Sequence, residues 1–334
     1  MLDKYWYIAC RSRALLKKPY GLRMMGKRLV LFRQRNGKPA ALEDRCLHRG
    51  TPLSRGRVCH GHLQCPYHGW RYDGKGEIQS IPALPSLPEL ATIRNFPCIE
   101  QDGYIWVCLN QEPAQDKPLF FENLNKPGWT SFHMKTRFSA SVEACLENFL
   151  DCPHATFVHN RWFRSPTGRR VDAVVHTLED GAVAEYFEEP REKSVVWWFL
   201  SPGGSTMKHT DRFIAPATSK VDYHFSNGRH YTITSSCTPV TDQVTEVYTV
   251  ISFKIIGFGP LVRLFFEPLS RIIIRQDVVM LDATQENNIA SDTSQITITP
   301  ADLLAPHISA WRSALKNGHN PPVPGKEEKI ELRL

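Results

Sequence analysis

The 334-residue chain is 42% apolar and 22% charged, a composition that excludes a disordered or fibrous protein and leaves room for two hydrophobic cores. Its formal charge of +7 comes without a long Lys/Arg run or a recognisable binding motif, so nucleic acid is not an expected partner. Nine cysteines, an odd number at irregular spacing, argue against a secreted disulfide scaffold and for a reducing, cytoplasmic setting in which some thiols hold metal.

The opening MLDKYWYIACRSR lacks the apolar core of a signal peptide. Residues 1–112 read as an all-β domain of short strands. Arg28–Arg33 and Tyr104–Leu109 carry the β-branched and aromatic residues that favour strands, with glycine-containing turns between. Gln111–Pro127, with three prolines and no period, is the expected linker.

A second domain is expected over 113–316. Strands are predicted at Ser131–Phe138, Val195–Phe199, Val221–Phe225, Tyr231–Ser236 and Val244–Ile251, framed by helices at Val142–Leu150 and Pro268–Asn287. Residues 317–334, rich in Pro, Gly and charge, read as a surface tail. The fold class is α+β. The most apolar stretch, Val247–Leu264, contains Lys254 and Arg263 and is broken by Gly257, Gly259 and Pro260. It reads as a core strand and a turn rather than a membrane span. Ile255–Phe266 is also a candidate lip for a lipophilic substrate or a membrane surface.

Chemistry concentrates in two places. Residues 46–70 read CLHRGTPLSRGRVCHGHLQCPYHGW, giving C-x-H at Cys46 and His48 and C-x-x-H at Cys65 and His68. Two thiolates and two imidazoles suit tetrahedral zinc or a [2Fe–2S] cluster with cysteines on one iron and histidines on the other. Each short loop supplies one Cys and one His, which favours two irons shared between two loops. Gly50 and Gly69 follow closely and let backbone N–H groups approach sulfur, while Pro66 stiffens the second loop. Cys59 and His60, between the loops, read as structural.

C-x-H-R-G followed by C-P-Y-H-G-W resembles the Rieske domain of the Rieske non-heme iron oxygenases. Thr51 and Tyr67 stand near where respiratory Rieske proteins have their extra cysteines, so the oxygenase or ferredoxin branch fits better. The resemblance covers essentially the whole chain. It implies a helix-grip-like catalytic domain, an antiparallel sheet with helices, after the Rieske domain. It places the chain with the terminal oxygenase subunits of the short homotrimeric demethylase and hydroxylase type.

The second place is ENFLDCPHATFVH, residues 147–159. Taken alone, two histidines on such a segment are ordinary. The pattern N-x-x-D-x-x-H-x-x-x-x-H formed by Asn148, Asp151, His154 and His159 resembles the mononuclear iron motif of the same family. Non-heme iron of this kind takes two His and one carboxylate, leaving positions for dioxygen. On the second helix Ile273, Asp277, Met280, Leu281 and Thr284 share one face. An acid in an apolar stripe is costly unless paired or bound to metal. Asp277 is therefore the expected third ligand, with Asp282 and Glu286 as alternatives.

The resemblance further implies that Asp151 links His154 of one subunit to cluster ligand His68 of a neighbour; otherwise Asp151 caps the helix before Pro153. Asn148, one helical turn before Asp151, is close enough to order water or a ligand at the iron. The resemblance also implies a separate NAD(P)H-dependent reductase, with or without a ferredoxin, and a trimer. The expected activity is hydroxylation or oxidative demethylation of an aromatic or polycyclic small molecule. Trp162, Phe163, Trp197, Trp198 and Phe199 are candidate pocket aromatics or core. Arg161–Arg170, with four arginines, is a candidate contact for an acidic substrate or electron-transfer partner, or a solvated loop. The rivals are a Rieske electron carrier without oxygenase activity and a zinc-binding structural protein.

Overall fold

The computed structural model describes residues 1–160, 162, 168–187, 207–255, 259–290 and 296–333. The expected strand Val195–Phe199 lies outside these residues. The chain divides into two compact units. One comprises Asp3–Phe120 and Thr238–Thr241, the other Met1–Leu2, Phe121–Cys237 and Asp242–Leu334. The break at Phe120 falls inside Gln111–Pro127.

The first unit is built from short antiparallel strands: β1 Trp6–Arg11, β2 Tyr20–Met24, β3 Lys27–Arg33, β4 Pro39–Glu43, β5 Arg57–Cys59, β6 His62–Gln64, β7 Arg71–Tyr72, β8 Ile78–Ser80, β9 Asn95–Phe96, β10 Cys98–Gln101 and β11 Tyr104–Cys108. They form three sheets, ordered β1-β11-β10, β2-β3-β4-β9 and β5-β6-β7-β8. Every residue of β11 (YIWVC) is buried because it is the central strand of its sheet. It joins β10 through Asp102-Gly103, whose φ values of 55° and 75° are those of a tight hairpin turn. Leu63, Tyr72, Val30, Phe32 and Leu42 pack around the cysteines of the two loops. β4 leads into the loop at Cys46, and β6 and β7 flank the loop at Cys65.

The second unit is dominated by one sheet. Its strands are β12 Thr130–Phe138, β13 Arg170–Leu178, β14 Gly181–Phe187, β15 Met207–Ile214, β16 Thr218–Phe225, β17 His230–Thr241, β18 Val244–Lys254 and β19 Glu327–Arg333. Among the described residues the order is β12-β18-β17-β16-β15-β14-β13-β19. β13, β14 and β15 were not expected from the sequence. β13 does alternate, burying Val171, Ala173 and Val175, but alanines dilute the strand signal. Residues 317–334 also differ from a plain tail: β19 pairs with β13 from Arg333↔Arg170 to Glu327↔His176 and buries Leu332. Its charges face solvent, which is why the sequence looks like a tail.

Val142–Phe149 is helical as expected. Ser141 caps it, its hydroxyl accepting the Ala144 N–H at 3.1 Å. The second expected helix is longer, Gly259–Ala290, and packs on β12. Val262, Phe266, Leu269, Ile273 and Ile274 meet Phe132, Tyr231 and Phe253 of the sheet. Val247–Lys254 is a core strand, as expected, and Leu261, Leu264 and Phe265 are exposed on the helix that follows. An unexpected helix, Ala305–Asn317, has Pro at its start and ends at Gly318 with φ 72°. No described helix is long and apolar enough to cross a membrane.

Candidate functional site

The two cysteine loops close in the same way. Cys46 N–H donates to Thr51 O at 2.9 Å and Gly50 N–H to Cys46 O at 2.8 Å. Cys65 N–H donates to Trp70 O at 2.8 Å and Gly69 N–H to Cys65 O at 3.2 Å. Gly50 and Gly69 take φ 69° and 74°, a left-handed conformation that glycine adopts without strain. Cys46 and Cys65 are thereby buried, while His48 and His68 are exposed with ring centroids 4.5 Å apart. His48 stacks on Trp70 at 4.9 Å.

The thiols face each other. Burial pushes the Cys65 thiol up, the Tyr67 and His68 backbone N–H groups pull it down, and neighbouring Cys46 raises it again. Two adjacent thiols and two adjacent imidazoles match the donor set of a [2Fe–2S] cluster. Tyr72, not anticipated from the sequence, lies 3.1 Å from Cys46 Sγ and accepts the Leu47 N–H at 3.3 Å. Cys59 stands apart, its thiol donating to Gln64 Oε1 at 3.0 Å.

In the second unit His154, His159 and Asp277 come together, with ligand atoms all within 4.8 Å of one another. His159 Nε2 lies 3.1 Å and His154 Nε2 3.6 Å from Asp277 Oδ1. Cis ligands of an ion with bonds of about 2.1 Å stand roughly 3 Å apart, so the spacing fits. Asp277 is 4% exposed, and its Oδ1 has no hydrogen-bond partner among the described residues. A buried carboxylate oxygen left this way is costly unless a cation sits there.

The second ring nitrogens are occupied. His154 Nδ1 bonds the Asp151 main-chain carbonyl, and His159 Nδ1 donates to Gln276 Oε1 at 2.9 Å. Each contact fixes the tautomer that leaves an Nε2 lone pair facing Asp277. Burial would raise the Asp277 pKa, yet protonation of the imidazoles, which sets an N–H and a positive charge against the carboxylate, brings it below its ordinary value. Burial would lower that of His154, but Asp277 and Asp151 raise it overall.

The Asp151 carboxylate lies 3.9 Å from His154 Nδ1 and is 35% exposed. It caps no helix, since the short helix His154–Phe157 starts from Pro153 without a side-chain cap. Asn148 Oδ1 is buried without a hydrogen-bond partner among the described residues. Asp282 and Glu286 are exposed, and Asp282 Oδ1 instead accepts the Ser139 N–H at 3.3 Å. Met280 and Thr284 also face outward, because the inward stripe runs through buried Phe266, Ser270 and Asp277 with half-buried Ile273, Ile274 and Leu281 beside it.

A cavity of about 130 Å³ adjoins the triad, lined by Phe149, Val221, Ile233, Ile251 and Ile273 among others. Two polar wall residues were missed by the sequence reading. His209 Nε2 lies 3.0 Å from Asp211 Oδ1, and the Tyr186 hydroxyl donates to Asp211 Oδ2 at 3.0 Å. The His209 ring stacks on both Tyr186 and Tyr223. His209 and Asp211 lie two apart on β15, and Tyr186 and Tyr223 reach them from the strands on either side, so the cluster forms only in the paired sheet. Trp162 N–H donates to the His159 carbonyl, and Trp162 is not among the described lining residues. Phe163, Trp197, Trp198 and Phe199 lie outside the described residues, as do Arg161 and Arg164. Arg170 pairs with Asp172 and Glu331.

Comparison with known proteins agrees with this geometry. Residues 5–97 match the Rieske [2Fe-2S] domain, and residues 138–313, more than half the chain, match the vanillate O-demethylase oxygenase C-terminal domain. The chain is 27% identical over 323 residues to Protein TIC 55, chloroplastic, of Pisum sativum, covering 91% of this chain. It spans only 56% of that relative's length. It is 25% identical over 327 residues to methylxanthine N1-demethylase NdmA of Pseudomonas putida, covering 95% of this chain and 90% of the other. The fold is shared with dicamba monooxygenase bound to dicamba, with TM-score 0.86 and 22% identity over 95% of this chain and 98% of that one. The chain belongs to the Rieske non-heme iron oxygenases, joining a Rieske [2Fe–2S] domain to a C-terminal domain of the vanillate O-demethylase oxygenase family.

Proposed function

We propose that this chain is a terminal oxygenase component that uses dioxygen and electrons drawn from NAD(P)H to hydroxylate or oxidatively demethylate an aromatic or polycyclic small molecule. The observation that carries this reading is the triad itself, two Nε2 lone pairs and an orphaned, buried Asp277 oxygen beside an apolar cavity. In this reading Cys46, His48, Cys65 and His68 hold the [2Fe–2S] cluster, and His154, His159 and Asp277 hold mononuclear Fe(II). When bound, the cluster supplies single electrons and the iron supplies open positions for dioxygen.

The protein's own residues do the rest. Asp151 and Gln276 fix the two imidazoles, and Asn148 offers a buried acceptor for ordering water. The aliphatic and aromatic lining suits a ring, for which a cavity of this size has room. The His209–Asp211 pair adds polarity to one wall. The part-exposed Asp151 carboxylate supports a link from His154 to a neighbouring subunit's His68 in a homotrimer. The electron source in this reading is a separate reductase, with or without a ferredoxin. A cytoplasmic setting accords with nine cysteines among which no disulfide forms.

Iron analysis separates this reading from its rival. An oxygenase holds about three irons per chain, a Rieske electron carrier two. A reductase-coupled screen for substrate-dependent oxygen uptake, with formaldehyde assayed alongside, then tells demethylation from hydroxylation. Two irons and no substrate-dependent uptake would establish the electron carrier instead.

A further inference from the structure

Charge is unevenly divided along this chain. Residues 3–120 contain 19 Lys and Arg against 10 Asp and Glu, a net +9, so the remaining residues sum to −2. The whole basic excess belongs to the Rieske unit. Part of it is gathered at one place. Lys27, Arg28, Arg45 and Arg94 line an open depression of about 480 Å³ whose wall includes Gly50 of the first cysteine loop. The Arg45 guanidinium lies against Gly50, within 3.4 Å of where a Cβ would stand.

The acidic residues there do not cancel this charge. Asp44 is buried and engaged, accepting the Ser54 N–H and hydroxyl at 2.7 Å each, with Arg28 3.5 Å away. Glu43 alone is exposed against three further cations. Arg94 is held over Phe96 at 5.2 Å and donates to the Leu109 carbonyl at 3.2 Å, so part of the cationic surface is rigid. The long, exposed cations around an open bowl suit a broad acidic surface better than a small buried anion.

We propose that this depression is the docking face for an acidic electron-donor protein, with Lys27, Arg45 and Arg94 as its cationic contacts. The inference rests on the reading of the chain as an electron-accepting oxygenase component. One electron passes from the reduced iron–sulfur or flavin group of the donor to the oxidised Rieske centre; no bond forms or breaks, and the donor is left oxidised. Long-range attraction steers encounter and is screened by salt. The loop bearing Cys46 and His48 borders the contact, which shortens the path for the electron.

The test uses the full holoprotein and a reduced plant-type [2Fe–2S] ferredoxin of net negative charge as probe. Stopped-flow absorbance follows reduction of the Rieske centre without any substrate. The second-order rate is expected to fall about tenfold or more between low and high salt. The Lys27→Glu/Arg45→Glu double variant should lower it by at least that factor at low salt. It should keep its visible cluster absorption, which shows that it folds; if it does not, Arg45→Gln alone takes its place. Lys316→Glu, an exposed change in the other unit, is the net-charge control and should leave the rate nearly unchanged. A salt-independent rate, no reduction at low salt, or equal slowing in the control would overturn the proposal. Absence of cluster absorption from the wild-type protein would instead sink the underlying functional reading.

Discussion

Gln276 accepts a hydrogen bond from His159 Nδ1 at 2.9 Å, while its neighbour Asp277 stands 3.1 Å from Nε2 of the same ring. One helix thus holds a single imidazole at both ends. Gln276 sets the tautomer and Asp277 faces the lone pair.

Replacing Gln276 by Leu should therefore weaken the mononuclear site without touching the first unit. Loss of an outer contact of this kind costs about 10–100-fold in metal affinity. Titration of the metal-depleted protein with Fe(II) measures it, and unchanged affinity would show that Gln276 does not orient the ring.

His154→Ala should abolish the mononuclear iron altogether, since two donors remain of three. Iron content should drop from about three to about two per chain, with the visible spectrum intact. Simultaneous loss of the spectrum would argue against two separate centres.

Asp151→Asn keeps the main-chain carbonyl that bonds His154 and removes only the carboxylate charge. Both metal sites should fill normally, while product formation falls by about 10–100-fold. Rapid reduction of the Rieske centre with slow product formation would locate the block between the centres; full activity would refute the link.

Glu147 makes stability depend on pH. Burial, then the charges of Glu143 and Asp302, push its carboxyl up to about 7, against the pull of Arg312. An acid raised in the folded state binds more protons there than in the unfolded chain. Stability is therefore full near and below the unfolded value of 4.5 and falls as pH rises toward 7. After allowance for solvent screening the cost is about 1–2 kcal/mol. Glu147→Gln should raise Tm by roughly 2–4 °C at pH 8 and by little at pH 5. A uniform shift across this range would remove Glu147 as the cause.

Several parts of the site are legible because they are local. C-x-H and C-x-x-H each lie within one tight loop, closed by a glycine whose φ the sequence itself announces. His154 and His159 lie on one short segment whose start is marked by Pro153. Asp277 stands out as a charge in an apolar helical stripe, which only a partner makes affordable. The face assigned to that helix was off by a fraction of a turn. Met280 and Thr284 are exposed because α-helical drift carries them away from the sheet.

The sequence by itself determined the candidate donor residues, the α+β class and the order of the two matched domains, all of which depend on neighbours along the chain. Only the tertiary structure decided what surrounds them. Gln276 reaches a histidine 117 residues away, and His209 with Asp211 enters the cavity from β15, a strand that went unread. β19 completes the sheet edge beside β13 although its residues look like a solvated tail. Pairings of this kind follow from sheet register and from burial of one face against another. Those long-range terms leave little trace in any short window of sequence.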